Sequence, residues 1–398
     1  MRLAEKFPLD MEPAILAEAR DMNICMITGI FPPDIGGPAT YVSRLAQALH
    51  QQGHAVRVVT LGENAPALPF PVTRISRAYP LPLRLVILFF ALLRHGWRSE
   101  VWYVNGLELP AVLAGKLLRK RMLMKIVGDY AWERAMNNRL TTAAIDDFQQ
   151  QRQVWQVELH KTLRAWLARQ VNTIITPSQY LKRLVGGWGV PAERIRVIYN
   201  AVEDVPADLG EKTAIRQQLG LSENDRLLIT VGRLVSWKGI DHLLRVLAQL
   251  DASVYLAIIG DGPEKNKLTE LAALSNVTSR VKFLGKAGRP AVLRYVHAAD
   301  LFVLYTGYEG FSHVLLEAML VGTPVMTTPV CGNPELVAHN ENGWFVPYGN
   351  FAELAKQICT VLNDQSLRER LREGGRLTAQ RFTWEQLIRK TMELLVRD

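Results

Sequence analysis

Short apolar segments alternate with helical patterns along almost the whole chain. Seven such segments occur up to Asn200, at residues 23–31, 55–61, 72–76, 101–106, 123–128, 171–178 and 194–200, and six follow, at residues 226–234, 254–262, 281–285, 301–307, 324–330 and 343–349. Most are continuously apolar rather than alternating, which is typical of strands buried on both faces of a parallel sheet. The pattern predicts an α/β protein with two doubly wound, Rossmann-like parallel sheets of seven and six strands.

An acidic, loop-rich segment at residues 201–226 separates the two groups of strands. We expect the domain junction there, with the two sheets facing each other across a cleft, because ligands of such sheets bind at the carboxyl ends of the strands. The last apolar pattern, with Thr383 in the N-cap position, predicts one amphipathic helix. The predicted organisation is an N-terminal extension over residues 1–22, a first domain over 23–203, a second domain over 204–380 and a C-terminal helix over 381–398.

The composition is that of an ordinary globular protein, with 48% hydrophobic and 21% charged residues in a chain of 398. Its three cysteines form no CxxC pair, which argues against a disulfide framework or zinc site and favours a reducing cytosol. The first 21 residues lack the apolar core of a signal peptide. The longest apolar run has nine residues, 85–93, whereas a spanning helix needs about 20, so no membrane-spanning segment is predicted.

The net charge of +9 is unevenly distributed. Residues 1–200 contain 25 Lys and Arg against 15 Asp and Glu, whereas the remainder contains 22 against 23. This asymmetry suggests that the first half meets an anionic surface, although charge that only keeps the protein in solution gives the same count. No basic motif with interleaved aromatic residues occurs, so we expect no nucleic-acid partner.

Two glycines, Gly36 and Gly37, follow the first predicted strand and precede a helix. Backbone N–H groups at such a position approach an anion closely, although a Gly-Gly pair before a helix is most often only a turn. The dinucleotide fingerprint GxGxxG is absent after this strand, which disfavours a dinucleotide-dependent oxidoreductase.

In the second half, Arg233 and Lys238 come just after a predicted strand. Two cations at the carboxyl end of a strand can neutralise a diphosphate without a metal, and a guanidinium can bind it with two hydrogen bonds. Taken singly, each is better explained as a solvated loop charge.

Two glutamates eight positions apart, Glu309 and Glu317, flank the start of a predicted helix. Ser312 suits its N-cap and Gly322 its C-cap. The helix N-terminus offers free N–H groups to a phosphate, and the two carboxylates accept hydrogen bonds from hydroxyls on either side. This combination predicts a site for a nucleotide-sugar.

Several segments carry a family resemblance, and they occur in the family's order. The segments FPPDIGGPATYVSRLA, GHAVRVVT, TPSQYLK, IYNAVE, VGRLVSWKGID, IGDGPE and GYEGFSHVLLEAM resemble the landmarks of retaining glycosyltransferase family 4. The last resembles that family's E-x7-E element. The resemblance extends from about Asn23 to the C-terminus and implies the two-domain B-type glycosyltransferase fold.

The resemblance also implies a role for each matched position in binding the donor. Gly36 and Gly37 would contact the donor phosphate or the reacting sugar, Arg233 and Lys238 the diphosphate, Glu309 the sugar hydroxyls, Glu317 the ribose, and the turn at Lys286 the base. Backbone groups of the following residues would also bind the donor: Gly310, Phe311, Ser312, His313 and Val314. The final helix would return to the first domain. No cofactor or metal is implied.

One position departs from the family's pattern. Many members have a histidine at the end of the fifth strand, where this chain has Gly128 in KIVGDYAWERA. Asp129 then becomes the nearest ionisable group expected to face the cleft, and it completes a candidate catalytic set with Glu309, Arg233 and Lys238. An aspartate after a strand also suits an ordinary helix N-cap, so both interpretations of Asp129 remain open.

The implied reaction is the retaining, metal-independent transfer of a hexose-type sugar from a nucleoside-diphosphate sugar to the hydroxyl of a lipid-linked or cell-surface glycan precursor. We expect the acceptor on the first domain, where the apolar residues 81–99 and nearby cations suggest attachment to the inner face of an anionic cytoplasmic membrane. A helix that merely covers the sheet is the alternative interpretation. A sugar-nucleotide epimerase, a phosphorylase and an inactive sugar-nucleotide-binding scaffold are the alternative functions.

Overall fold

The computed structural model describes residues 21–34, 36–63, 67–206 and 208–396. The predicted N-terminal extension lies almost entirely outside these residues. Within them, the two predicted groups of strands form two separate, wholly parallel sheets of seven and six strands.

The first sheet has the strand order β3-β2-β1-β4-β5-β6-β7. Its strands are β1 (Asn23–Thr28), β2 (Ala55–Leu61), β3 (Val72–Ile75), β4 (Val101–Asn105), β5 (Arg121–Lys125), β6 (Thr173–Thr176) and β7 (Ile195–Val197). The helices of this domain are α1 (Gly37–Gln51), α2 (Leu81–Gly96), α3 (Glu108–Leu117), α4 (Tyr130–Asn137), α5 (Ile145–Gln150), α6 (Trp155–Gln170) and α7 (Gln179–Gly186).

The second sheet has the strand order β10-β9-β8-β11-β12-β13. Its strands are β8 (Arg226–Val231), β9 (Val254–Ile259), β10 (Val281–Gly285), β11 (Leu301–Leu304), β12 (Val325–Thr327) and β13 (Trp344–Phe345). The helices that follow the junction are α8 (Lys212–Gln218), α9 (Ile240–Leu247), α10 (Lys265–Leu274), α11 (Arg289–Ala298), α12 (His313–Leu320), α13 (Phe351–Asn363), α14 (Gln365–Ala379) and α15 (Trp384–Val396).

Burial on both faces explains why the strands are continuously apolar. In β1, Cys25 and Ile27 join the core under one layer of helices, whereas Ile24 and Met26 join the core under the other. Successive side chains of a strand point to opposite faces, so a strand covered on both sides needs an apolar residue at every position. The predicted doubly wound architecture is confirmed.

The last helix, α15, follows the second domain in sequence but packs on the first. Leu387 and Leu395 lie in the same core as Ile24. The Tyr41 hydroxyl lies 3.1 Å from Thr391 Oγ1, and Arg121 donates hydrogen bonds to the last carbonyls of α15. The chain therefore crosses between the domains twice, once at the junction and once just before α15.

The two domains contact each other at the carboxyl ends of their strands. The Trp132 ring of α4 lies 5.0 Å from the rings of both Trp237 and Tyr308 of the second domain. Asn200 at the junction donates a hydrogen bond of 3.0 Å to the Phe311 carbonyl, just before α12. The cleft between the sheets is thus bordered by residues of both domains. Within the described part of the chain, no helix is long and apolar enough to cross a bilayer.

Candidate active site

The segment between β11 and α12 forms the centre of the candidate site. Ser312 caps α12 by accepting a hydrogen bond of 3.3 Å from the Leu315 N–H, as the sequence predicts. The loop before it is held by Thr306, whose hydroxyl oxygen lies within hydrogen-bond distance of the carbonyl oxygens of Tyr308 (2.8 Å) and Trp237 (3.1 Å). Because these residues are buried, the loop presents Glu309 in a fixed position.

Lys238 and Glu309 form an ion pair across this loop. The distance from Lys238 Nζ to Glu309 Oε2 is 2.5 Å, and the side chains are only 16% and 18% exposed. Lys238 is placed by the turn after β8, where Gly239 has φ of +56° and a Cβ there would lie 2.4 Å from the Tyr305 carbonyl oxygen. Only glycine fits this close approach, so the turn brings a strand-end cation against a loop carboxylate.

Glu317 pairs with a cation that the sequence did not reveal. Arg289 Nε, at the start of α11, donates a hydrogen bond of 2.8 Å to Glu317 Oε1. The same guanidinium donates to the carbonyls of Glu203 (2.7 Å) and Asp204 (3.2 Å) in the domain junction. Burial raises the pKa of Glu317, and the nearby Arg289 opposes that rise. Arg289 therefore connects Glu317 directly to the junction between the domains.

Each carboxylate keeps a second oxygen available. Glu309 uses Oε2 for Lys238, and Glu317 uses Oε1 for Arg289. Within the described ranges, neither Glu309 Oε1 nor Glu317 Oε2 has a hydrogen-bond partner. A hydroxyl group can therefore donate to either carboxylate without displacing its cation.

The other predicted donor residues lie at strand ends. Arg233 is exposed after β8, and Lys286 is exposed in the turn between β10 and α11. Gly36 immediately precedes α1 and its carbonyl accepts from the Thr40 N–H at 3.1 Å, while Gly37 begins the helix with no atom within 4 Å of its Cβ position. All these positions follow the carboxyl ends of parallel strands, where ligands of such sheets bind.

Residues next to Glu309 are held tightly against the first domain. A Cβ at Gly310 would lie 2.7 Å from the Val127 carbonyl oxygen. The His313 ring points to the junction, where Nδ1 lies 3.3 Å from the Ala201 carbonyl oxygen. Burial and the nearby Lys125 lower the pKa of His313 to about 4, so the ring is neutral near pH 7. The backbone contact between His313 and the donor stays a prediction.

Asp129 does not face the cleft, contrary to the sequence expectation. Its carboxylate is fully buried, accepts from the N–H groups of Ala131 (3.0 Å) and Trp132 (3.3 Å), and forms an ion pair with buried Arg164. Gln149 donates a further hydrogen bond of 3.0 Å. The helix N-cap interpretation thus describes its contacts, because α4 needs a cap and Arg164 needs a counter-charge. A catalytic role for Asp129 stays a prediction.

Comparison with known proteins finds a glycosyltransferase family for each half of the chain. Residues 35–204 match the family Glycosyltransferase Family 4, and residues 211–378 match Glycosyl transferases group 1. An uncharacterized glycosyltransferase of Methanocaldococcus jannaschii is 26% identical over 94% of this chain and 97% of its own length. A lipopolysaccharide core biosynthesis glycosyltransferase of Rhizobium meliloti is 33% identical over 52% of this chain and 59% of its own length.

A solved structure shares the whole architecture. The Anabaena protein HepE, in complex with UDP and glucose, superposes with a TM-score of 0.77 over 94% of this chain and 99% of its own, at 22% identity. At that identity the likeness concerns the fold. It extends over both sheets and the cleft between them.

Proposed function

This chain belongs to glycosyltransferase family 4, and from that premise we propose that it transfers a hexose-type sugar from a nucleoside-diphosphate sugar to an acceptor hydroxyl with retention of configuration. One observation carries the proposal. Two carboxylates, Glu309 and Glu317, flank the N-terminus of α12, and each is braced by one cation while keeping a second oxygen available. Hydroxyl groups on either side of a phosphate fit this arrangement.

We assign the donor as follows. Glu317 accepts hydrogen bonds from the ribose hydroxyls, and Glu309 accepts them from the transferred sugar. The diphosphate lies between them, against Arg233, Lys238 and the free N–H groups at the start of α12. Lys286 and its turn lie beside the base. Arg233 and Lys238 take the role that a metal has in other glycosyltransferases, because they neutralise the diphosphate from fixed positions.

In the reaction, the bond between the anomeric carbon and the diphosphate oxygen breaks, and a bond to the acceptor oxygen forms on the same face. Negative charge grows on the leaving oxygen while the sugar becomes oxocarbenium-like. Arg233, Lys238 and the end of α12 stabilise that charge. The acceptor's proton passes to the departing phosphate. Asp129 supports this chemistry indirectly, by capping the helix that borders the cleft.

The acceptor side of the proposal rests on α2. Leu88 and Leu92 are fully buried against the first sheet, whereas Leu81 is 58% and Phe90 61% exposed, so the helix is apolar on both its inner and its outer face. Arg94 and Arg98 lie at its C-terminal end. An apolar outer face beside cations fits an anionic membrane surface. We propose that this face rests on such a membrane and that the acceptor is a lipid-linked glycan precursor, in line with the lipopolysaccharide role of the Rhizobium relative.

Calorimetry with the purified chain tests the donor assignment. UDP, GDP, ADP and their common hexose-linked forms are titrated in the absence of added metal. The variants Glu317→Ala and Lys238→Ala are measured in parallel, with Lys265→Ala, at an exposed position, as the control. We expect one nucleotide to bind, with affinity lost in the first two variants and kept in the control. A folded protein that binds no nucleotide would overturn the proposal, binding without transfer to any acceptor would favour the inactive scaffold, and conversion of the donor without any acceptor would favour an epimerase.

A further inference from the structure

A glutamate of the first domain occupies the space that a side chain at position 128 would take. Gly128 lies between β5 and the start of α4. A Cβ at Gly128 would lie 2.7 Å from Glu133 Oε1 and 3.0 Å from the Tyr308 hydroxyl oxygen. The glycine therefore leaves room for a carboxylate from α4 and a hydroxyl from the second domain to flank one point.

Glu133 has no partner of its own. Among the residues that the structure describes, its carboxylate makes no hydrogen bond and no ion pair, although the side chain is half-buried. The charges that act on it are those of Arg233, Lys238 and Glu309. Burial raises the pKa of the Glu133 carboxyl, and the two cations oppose that rise. Glu133 is thus within electrostatic reach of the donor residues assigned above.

The neighbouring Tyr308 hydroxyl is also unpartnered. Tyr308 is 5% exposed, and its hydroxyl oxygen is buried with no hydrogen-bond partner among the described residues. The Trp132 ring, 5.0 Å from the Tyr308 ring, holds α4 against the second domain. A buried polar group without a partner costs free energy, about 1–3 kcal/mol for a hydroxyl. The buried Tyr308 hydroxyl and the half-buried Glu133 carboxylate flank one point and both lack a partner, which indicates a place that another polar molecule completes.

We propose that Glu133 is a further substrate-binding residue, which accepts a hydrogen bond from a hydroxyl of the transferred sugar beside Glu309. The inference rests on the proposed function. A carboxylate repels a diphosphate and accepts from hydroxyl donors, so its ligand is a hydroxyl rather than a phosphate oxygen. The donor sugar and the acceptor both carry hydroxyls. The proximity of Glu133 to Glu309 and Lys238 favours the donor sugar.

The test compares two affinities in the same protein. Glu133→Gln keeps the shape of the side chain and removes its charge. Calorimetry measures the dissociation constants of UDP-glucose and UDP, or of the GDP or ADP pair if that nucleotide is the one the wild type binds. Removing a negative charge near the diphosphate affects both ligands alike, so the ratio of the two constants isolates the contact with the sugar. We expect the dissociation constant of the sugar nucleotide, divided by that of the free nucleotide, to rise about tenfold in Glu133→Gln.

Two further variants guard the interpretation. Gly128→Ala keeps the carboxylate but places a methyl group where it now lies, so we expect the same selective loss. Glu193→Gln, an exposed carboxylate elsewhere on the first domain, is the matched control and should leave the ratio unchanged. Thermal melts confirm that each variant is folded at the temperature of the titrations.

The outcomes separate the inference from its premise. A wild-type protein that binds neither ligand would overturn the proposed function and the inference with it. A wild type that prefers the sugar nucleotide, with an unchanged ratio in both Glu133→Gln and Gly128→Ala, would overturn the inference alone. An equal loss of affinity for both ligands would show that Glu133 has only a structural role and would contradict the sugar contact. An unchanged ratio with slower transfer would place the hydroxyl on the acceptor and would also contradict the donor contact.

Discussion

Lys238 Nζ lies 2.5 Å from Glu309 Oε2, so a residue from the end of β8 and a residue from the end of β11 form one charged pair in the cleft. These strands are neighbours in the second sheet although the two residues are 71 positions apart in sequence. The pair fixes the position of Glu309 and keeps a cation beside the proposed path of the diphosphate.

Lys238→Met tests the contribution of this cation to the reaction. The apolar side chain of similar length keeps the packing but removes the charge that stabilises the leaving group. We expect kcat/KM for donor consumption to fall by about 10²–10³, the usual cost of removing one preorganised electrostatic group. Lys265→Met, an exposed lysine on α10, is the control and should stay within twofold. A normal rate in Lys238→Met would show that Lys238 does not contribute to the reaction.

The pair between Arg289 and Glu317 predicts a measurable coupling. Their side chains are 25% and 16% exposed, so removing Arg289 leaves a partly buried carboxylate without its cation. We expect Arg289→Ala to lower the free energy of unfolding by about 1–2 kcal/mol, and the double variant with Glu317→Ala to be less destabilised than the two single variants predict together. Urea denaturation measures the free energy of unfolding of the wild type and of each variant. Strictly additive effects would mean that the pair does not contribute.

Asp129 is expected to affect stability more than chemistry. Its buried carboxylate caps α4 and pairs with buried Arg164, so Asp129→Ala leaves an unpaired guanidinium in the interior. We expect a loss of about 3 kcal/mol or more in the free energy of unfolding, measured in urea, with nucleotide affinity unchanged where the variant is folded. Asp147→Ala, at an exposed position of α5, is the control. Unchanged stability with abolished turnover would instead make Asp129 catalytic.

Lys125 predicts a pH dependence of stability. It is buried at the end of β5, with Nζ 3.5 Å from Asn200 Oδ1 and over the Tyr41 ring. Burial lowers the pKa of Lys125 to about 7, whereas the pKa of a lysine in an unfolded chain is about 10.4. Between these values the unfolded chain binds a proton that the folded protein does not. Stability therefore rises with pH across this window.

Lys125→Met removes that titration. We expect the variant to be more stable than the wild type near pH 7 and the difference to shrink as the pH approaches 10, with a slope of at most about 1.4 kcal/mol per pH unit. Urea denaturation at a series of pH values gives both curves. Parallel curves for the two proteins would contradict the assignment.

Membrane attachment through α2 is tested with vesicles. Phe90→Ser removes an exposed apolar side chain, and we expect it to weaken sedimentation with phosphatidylglycerol vesicles about tenfold. Arg94→Gln should weaken binding by about fivefold and reduce its salt dependence. The control is Leu274→Ser, because Leu274 is 74% exposed on the second domain. Equal binding to neutral phosphatidylcholine vesicles, or none to anionic ones, would contradict the proposal.

The fold could be predicted from the sequence because strands buried on both faces are continuously apolar. This pattern is visible without knowing which strands are neighbours. All thirteen predicted strands are present, and the Ser312 cap of α12 forms as expected. These features depend on residues that are close in sequence.

The partners in the site could not be predicted in the same way. The contact of Arg289 with Glu317 and that of Asp129 with Arg164 join different elements, and nothing local marks them. The sequence showed that Gly128 lacks a side chain, but only the packing of α4 showed that Glu133 fills the space. Asp129 was expected to face the cleft because it is next to Gly128, which stands where many family members have a histidine. The structure instead buries its carboxylate, which caps α4 and pairs with Arg164.

The stereochemistry of transfer tests the central claim most directly. The purified chain is incubated with the nucleotide-sugar that it binds, and proton NMR follows both the released nucleoside diphosphate and the first sugar product, with water as the acceptor when no other is known. We predict release of the diphosphate together with a sugar whose anomeric configuration matches that of the donor. Release of the opposite anomer, or accumulation of an altered donor with no diphosphate released, would contradict the account.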